Sequence, residues 1–186
     1  MPVVIGAKPE SGIRDPIGLL TDCHRRVERF LSVLVQVGAQ AQGGSLTSEQ
    51  RAALETALRY FREAAPKHTA DEEESLFPRL RARGRPDMQS VIERVKALER
   101  EHAEADRRHT EADRLGQAWL AAGTLPKSDI ARFSRLVTEL TEIYRTHIAI
   151  EEREVFPTAA AVLGKAEFEA VGAEMAARRG LQAGQA

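Results

Sequence analysis

Two stretches of the chain repeat one arrangement of side chains that can bind metal. Residues 68–78 are HTADEEESLFP and residues 147–157 are HIAIEEREVFP; at an offset of 79 residues their His, Ala, Glu, Glu, Phe and Pro coincide. His24, in DCHRRVERF, and His102, in REHAEADRR, stand 78 residues apart. Four of the five histidines thus fall into two copies of one pattern, a His followed about 45 residues later by His-x-x-x-Glu. On a helix, residues i and i+4 share a face with their Cβ atoms about 5–6 Å apart. His68 with Glu72, and His147 with Glu151, can therefore aim an imidazole and a carboxylate at one point. His24 and His102 would add two more imidazoles. If each carboxylate bridges two metals, every metal has two imidazoles and two oxygens and keeps open positions. Imidazole and carboxylate without thiolate suit iron, manganese or zinc. Open positions beside a redox metal are what dioxygen chemistry needs.

Blander explanations compete with each residue taken singly. A lone core histidine is more often satisfied by a neighbour, and one His-x-x-x-Glu pair is commonly surface decoration on a helix. Two copies in matched register favour the metal. In the acidic run Asp71-Glu72-Glu73-Glu74 only Glu72 is expected to turn inward, with the rest solvated and Glu73 and Glu152 as substitutes or bridges. His109 follows His102 by seven residues, about 10 Å of helical rise, too far for the same metal. It is expected in the core or behind the ligands. Glu28 and Asp106 stand at i+4 from His24 and His102. They are expected to orient an imidazole or pair with an arginine, with direct coordination by Asp106 the weaker alternative. Tyr144, one turn before His147, is a packing residue or a hydrogen-bond donor near the site.

Four long helices must carry these groups, and breakers mark them. Asp15-Pro16 offers an N-cap followed by Pro at the first helical position, and Gly43-Gly44 closes the first helix. Thr47 with Gln50 resembles a capping box. Gly84 and Pro86 separate the second helix from the third, with Asp87 as cap, and Gly123, Pro126 and Ser128 mark the next turn. The fourth helix should run to about Leu163-Gly164, followed by a short helix over about 166–179. Pro66 predicts a kink two residues before His68. Apolar residues recur in steps of three and four, as in Leu20, His24, Val27, Leu31 and Leu34 of the first helix. The fold class is all-α, an up-down-up-down four-helix bundle over 15–164. An extended tail precedes it over 1–14, and a C-terminal helix and tail follow over 165–186. The histidines and glutamates occupy stripes that should be dry. A buried carboxylate without a partner costs several kcal/mol, so something positive must lie between the helices.

Bulk properties exclude several classes. The 27 Lys and Arg balance 28 Asp and Glu, which gives no electrostatic reason to expect nucleic acid or an anionic membrane as partner. The Arg-rich segment 79–85 is expected to be a solvated helix end. No apolar run approaches the roughly 20 residues a membrane span needs. The opening residues lack the basic-then-apolar pattern of a secretion signal. The single Cys23 is expected to be a small packed thiol and suits a reducing cytoplasm.

The motifs DCHRRVERF, H-x-x-x-EE-x-x-LFP, REH and H-x-x-x-EE-x-x-VFP resemble the bacterial hemerythrin-like, or HHE cation-binding, family. The likeness runs from Asp15 to about Arg179. It implies a bundle holding a non-haem di-iron centre with His24, His68, Glu72, His102, His147 and Glu151 as ligands. Zinc or manganese could substitute. Oxygen-carrying members are similar but have a further histidine where this chain has Asp106, which argues against reversible oxygen carriage. The implied function is binding or sensing of dioxygen, nitric oxide or peroxide, without an evident enzymatic substrate site. Alternatives are a di-iron oxidase or peroxidase, an iron-handling protein, or a structural zinc site. Beyond the small ligand, expected partners are a second copy of the chain or a separate signalling or redox protein.

Overall fold

The computed structural model describes residues 11–181, and all regular structure among them is helical. Helix α1 spans Pro16–Ala41; the Asp15 carboxylate accepts from the Gly18 amide at 3.0 Å and Pro16 opens the first turn. Helix α2, Ser48–Glu63, begins at the reciprocal Thr47–Gln50 capping box. It breaks at Ala64, and α3 resumes over Ala65–Ala70. Pro66 is the cause: it has no amide hydrogen for the carbonyl four residues back, and Lys67 bonds instead to the Ala64 carbonyl, three back, at 3.1 Å. A π-helical segment, Asp71–Leu76, leads into α4, Phe77–Ala82. After a turn at Pro86–Met88 comes α5, Gln89–Ala122, and then α6, Lys127–Ile150. A second π-helical segment, Glu151–Val155, joins α6 to α7, Phe156–Val162, and α8 spans Lys165–Arg178. Asp87 does not cap α5; Met88 holds the N-cap position and the Asp87 carboxylate pairs with Arg85 instead.

These pieces form four rods: α1, α2 through α4, α5, and α6 through α7. Each packs against the next, and α6 closes back on α1, giving the expected bundle. Residues 1–10 of the expected tail lie outside the described residues. Helix α8 lies on the first π segment and on α1. It approaches closely at Gly172, where a Cβ would stand 2.2 Å from the Ile13 carbonyl oxygen. The arginines of segment 79–85 are not simply solvated. Arg79 holds Glu174 at 2.7 Å and Arg83 holds Glu167, so both tie α8 down.

The core is two clusters rather than one. Val27, Leu31, Phe61, Ala105, Trp119 and Leu140 belong to the first, and Leu20, Leu76, Phe77, Leu98, Val155 and Met175 to the second. On every rod the metal-capable residues fall between the two. A polar layer thus divides the bundle, with apolar packing above and below it to exclude water.

Candidate metal centre

The two motif copies fold alike because both end in Phe-Pro. Pro78 and Pro157 lack the amide hydrogen an α-helix needs, and their rings would crowd the carbonyl four residues back. The helix widens just before each: the Phe77 amide donates to the Glu72 carbonyl and the Phe156 amide to that of Glu151, both five residues back. Glu72 and Glu151 therefore accept the closing bond of a π turn. The period-3.6 stripe predicted unbroken helix here, so this widening is a correction.

Six side chains converge in the polar layer. Glu72 and Glu151 are both 0% exposed, and His24, His68, His102 and His147 are all buried. Each carboxylate turns its two oxygens to different sides. Glu72 Oε1 lies 3.4 Å from His68 Nε2 and 3.8 Å from His24 Nε2, whereas its Oε2 lies 3.5 Å from His102 Nε2. Glu151 Oε1 lies 3.2 Å from His147 Nε2 and its Oε2 lies 3.1 Å from His24 Nε2. The result is two overlapping donor sets, His24 with His68 and Glu72, and His102 with His147, Glu72 and Glu151. Among the described residues, all four oxygens of Glu72 and Glu151, Nε2 of His24 and His147, and Nδ1 of His68 lack a hydrogen-bond partner. So many orphaned polar atoms in one dry layer fit cations held between imidazoles and bridging carboxylates.

Outer carboxylates set the ring orientations. Glu152 accepts from His24 Nδ1 at 3.0 Å, Glu73 from His102 Nδ1 at 2.8 Å and Glu101 from His147 Nδ1 at 3.0 Å. A neutral ring that donates from Nδ1 turns its Nε2 lone pair to the layer, which is the tautomer a metal ligand requires. The second glutamate of each Glu-Glu pair thus faces an imidazole Nδ1 on another rod.

Charge within the layer is unbalanced without a cation. Burial pushes the Glu72 carboxyl up to about 7, and the nearby Glu151 charge adds to that. Glu151 also suffers burial, but the His147 and His24 imidazoles hold it well below the usual carboxylate range. Burial would depress His24 and His147, yet Glu151 and then Glu72 lift His24 to about 10, and Glu151, Glu101 and then Glu72 lift His147 to about 10. His68 is held low by burial and by the neighbouring imidazoles. Protons occupy the place that cations would take.

The remaining expectations divide. Glu28 pairs with Arg25 at 2.7 Å on the surface. Asp106 joins neither donor set and lies exposed on the wall of a cleft. His109 stays away from the metal-capable groups, stacks on Phe61 and hydrogen-bonds the Tyr144 hydroxyl at 3.2 Å. Cys23 is a buried free thiol, with the Arg26 guanidinium 3.1 Å from its sulfur. Two carboxylates escaped the sequence reading. Asp71, expected in solvent, is 0% exposed and clamped by Arg178 at 3.0 Å and Arg179 at 2.6 Å from α8. Glu101 carried only one signal, its place directly before His102; its partner His147 is on another helix, beyond any local pattern.

Comparison with known proteins agrees with this geometry. The family model described as Hemerythrin HHE cation binding domain matches residues 15–159, and the chain belongs to that family. An uncharacterised protein of Haemophilus influenzae is 29% identical over 165 residues, covering 89% of this chain and 90% of its own.

Proposed function

We propose that this member of the hemerythrin HHE family holds two iron ions in a non-haem centre and binds or senses dioxygen or a related small oxidant, nitric oxide or peroxide. One observation carries the proposal: each of two fully buried carboxylates presents its oxygens to both pairs of imidazoles, and none of those oxygens has a hydrogen-bond partner among the described residues. A single cation would leave one pair idle. His24 and His68 would hold one ion, His102 and His147 the other, and Glu72 and Glu151 would span both. When bound, paired iron ions supply two electrons to a small oxidant from adjacent sites.

The chain's own residues do the rest. Glu152, Glu73 and Glu101 keep three imidazoles in the ligating tautomer. The apolar clusters above and below exclude bulk water, which strengthens the charge interactions inside. His109, lowered to about 4 by burial, is neutral near pH 7 and can share a hydrogen bond with Tyr144 without adding charge. A second reading, slow peroxide turnover with a reductant, draws on this phenol standing 6.2 Å edge-on to His147. The small oxidant is the proposed partner, beside a second copy of the chain or a separate redox or signalling protein. The lone free thiol suits a cytoplasmic setting, and no helix among the described residues is long and apolar enough to cross a membrane.

Metal analysis of aerobically purified protein, taken with its visible spectrum, tests the proposal. Two irons per chain with charge-transfer absorption towards the blue are expected. Colourless protein with one zinc per chain would instead favour a metal that only staples the bundle.

A further inference from the structure

Positions related by the internal repeat need not be equivalent, and behind the two motifs they are not. Asp71, the residue before Glu72, is fully buried, and its two oxygens accept from Arg178 at 3.0 Å and Arg179 at 2.6 Å. Both arginines stand at the C-terminal end of α8. Arg178 also holds Glu74 at 3.0 Å, and Arg79 holds Glu174 of α8 at 2.7 Å. The Arg179 guanidinium donates to the Met175 carbonyl at 2.8 Å, which ties it to its own helix, and it reaches Cys23, the residue before His24. The second motif lacks the residue types for such an attachment. The counterparts of Asp71 and Glu74 are Ile150 and Arg153, and Ile150 packs against apolar side chains.

Asp71 sits where two donors of one half are set. Its amide donates to the Lys67 and His68 carbonyls. Its own carbonyl leads directly to Glu72, which closes the π turn. A carboxylate with no exposure cannot turn to water when its partners leave, because removing one member of a buried pair strands the other's charge. The two guanidiniums therefore hold the Asp71 side chain in one place, and with it the backbone that delivers His68 and Glu72.

We infer that Arg178 and Arg179 form a positioning clamp for the His24–His68 half of the centre: through Asp71 they fix the turn that presents His68 and Glu72, and a cation in that half in turn holds the end of α8 in place. The clamp rests on the two-metal reading above and deepens it. Coupling of this kind is reciprocal, so the factor by which docked α8 tightens the metal is the factor by which the metal tightens α8. The His102–His147 half has no share in it, since the second motif offers α8 neither a buried carboxylate nor an arginine partner at the matching positions.

Anaerobic titration of metal-free protein with ferrous iron against a chelator tests this. Arg178→Gln combined with Arg179→Gln should weaken one of the two metals by about tenfold or more and leave the other at its wild-type affinity. Adding Glu101→Gln, which acts on His147, should then weaken the second metal as well. A further loss at the metal already weakened would put the clamp on the other half and overturn the inference. Arg94→Gln breaks an exposed pair with Glu154 of the second motif and should change neither metal. Hydrogen exchange on the unaltered protein gives the reciprocal reading even where the arginine variants do not fold. Amides of 172–181 should exchange about tenfold faster once the metal is removed, and those of 127–137, at the start of α6, should change less. A helix that only stabilises the bundle would weaken both metals alike and would exchange in step with 127–137. Either result, or iron affinities unmoved by the double substitution, overturns the clamp. Wild-type protein that binds fewer than two irons per chain would instead sink the two-metal reading beneath it.

Discussion

The half of the centre built from His24 and His68 and the half built from His102 and His147 share one plan but differ in their support. Both use an imidazole from a long helix and an imidazole with a buried carboxylate from a π-widened rod. Both also borrow an orienting glutamate from the opposite motif copy, Glu152 for His24 and Glu73 for His102. The fourth support is where they part. His147 Nδ1 is held by Glu101, whereas His68 Nδ1 has no partner among the described residues, and the repeat counterpart of Glu101 is Cys23. The difference teaches that the repeat preserves the donor atoms while the shells around them diverge. One half thus carries an orienting carboxylate that the other lacks among the described residues.

Removing what the halves share should do most damage. Glu151→Ala takes a ligand from both, leaves His24 and His147 without their closest carboxylate, and converts metal binding energy into lost folding energy. Metal content well below two per chain and a Tm lower by on the order of 10 °C are expected, read by metal analysis and calorimetry. Retention of both metals would break the bridging assignment.

The metal-free protein should show the imidazoles' charge directly. His24 and His147 are raised to about 10 in the folded chain, against about 6.5 when unfolded. Their pairing with Glu151, which stays ionised, is fully present below about pH 6.5 and disappears as pH rises through about 10. Denaturant unfolding of metal-free protein should therefore give lower stability at pH 10 than at pH 6. Metal uptake must expel those protons, so a weakly buffered titration should record proton release and tighter binding as pH rises.

Smaller changes can separate the halves. Glu101→Gln should weaken metal binding at the His102–His147 half by about 10–100-fold and spare the other, because only His147 depends on that carboxylate. Equal weakening of both metals in a stepwise chelator titration would count against distinct halves. Glu28→Ala should change least. It breaks a pair with Arg25 in which both side chains are about half exposed, and exposed pairs contribute about 0–1 kcal/mol. Its Tm and metal content should match wild type.

Much of the site was legible because the repeat is written in residue types. His-x-x-x-Glu twice, at matched distances from His24 and His102, gave the donor atoms and their shared face, and Asp15, Thr47 and Pro66 marked helix starts and the break. The π turns escaped because hydrophobic period assumes a uniform helix, although the Phe-Pro closing each copy was their physical signal. Asp71 was misplaced in solvent because its partners, Arg178 and Arg179, are more than 100 residues away in sequence. Glu101 was passed over for the same reason.

What the sequence determined alone is the all-helical bundle and the six convergent donors, because i, i+4 geometry and capping are local and need no knowledge of neighbours. Only the tertiary structure decided which carboxylate steadies which imidazole and how α8 clamps the first motif. Those outcomes depend on side chains from different rods meeting across a few ångströms. Cys23 and Glu101 occupy the same place in the repeat, and Glu101 meets an imidazole, His147, only because an opposing rod is present.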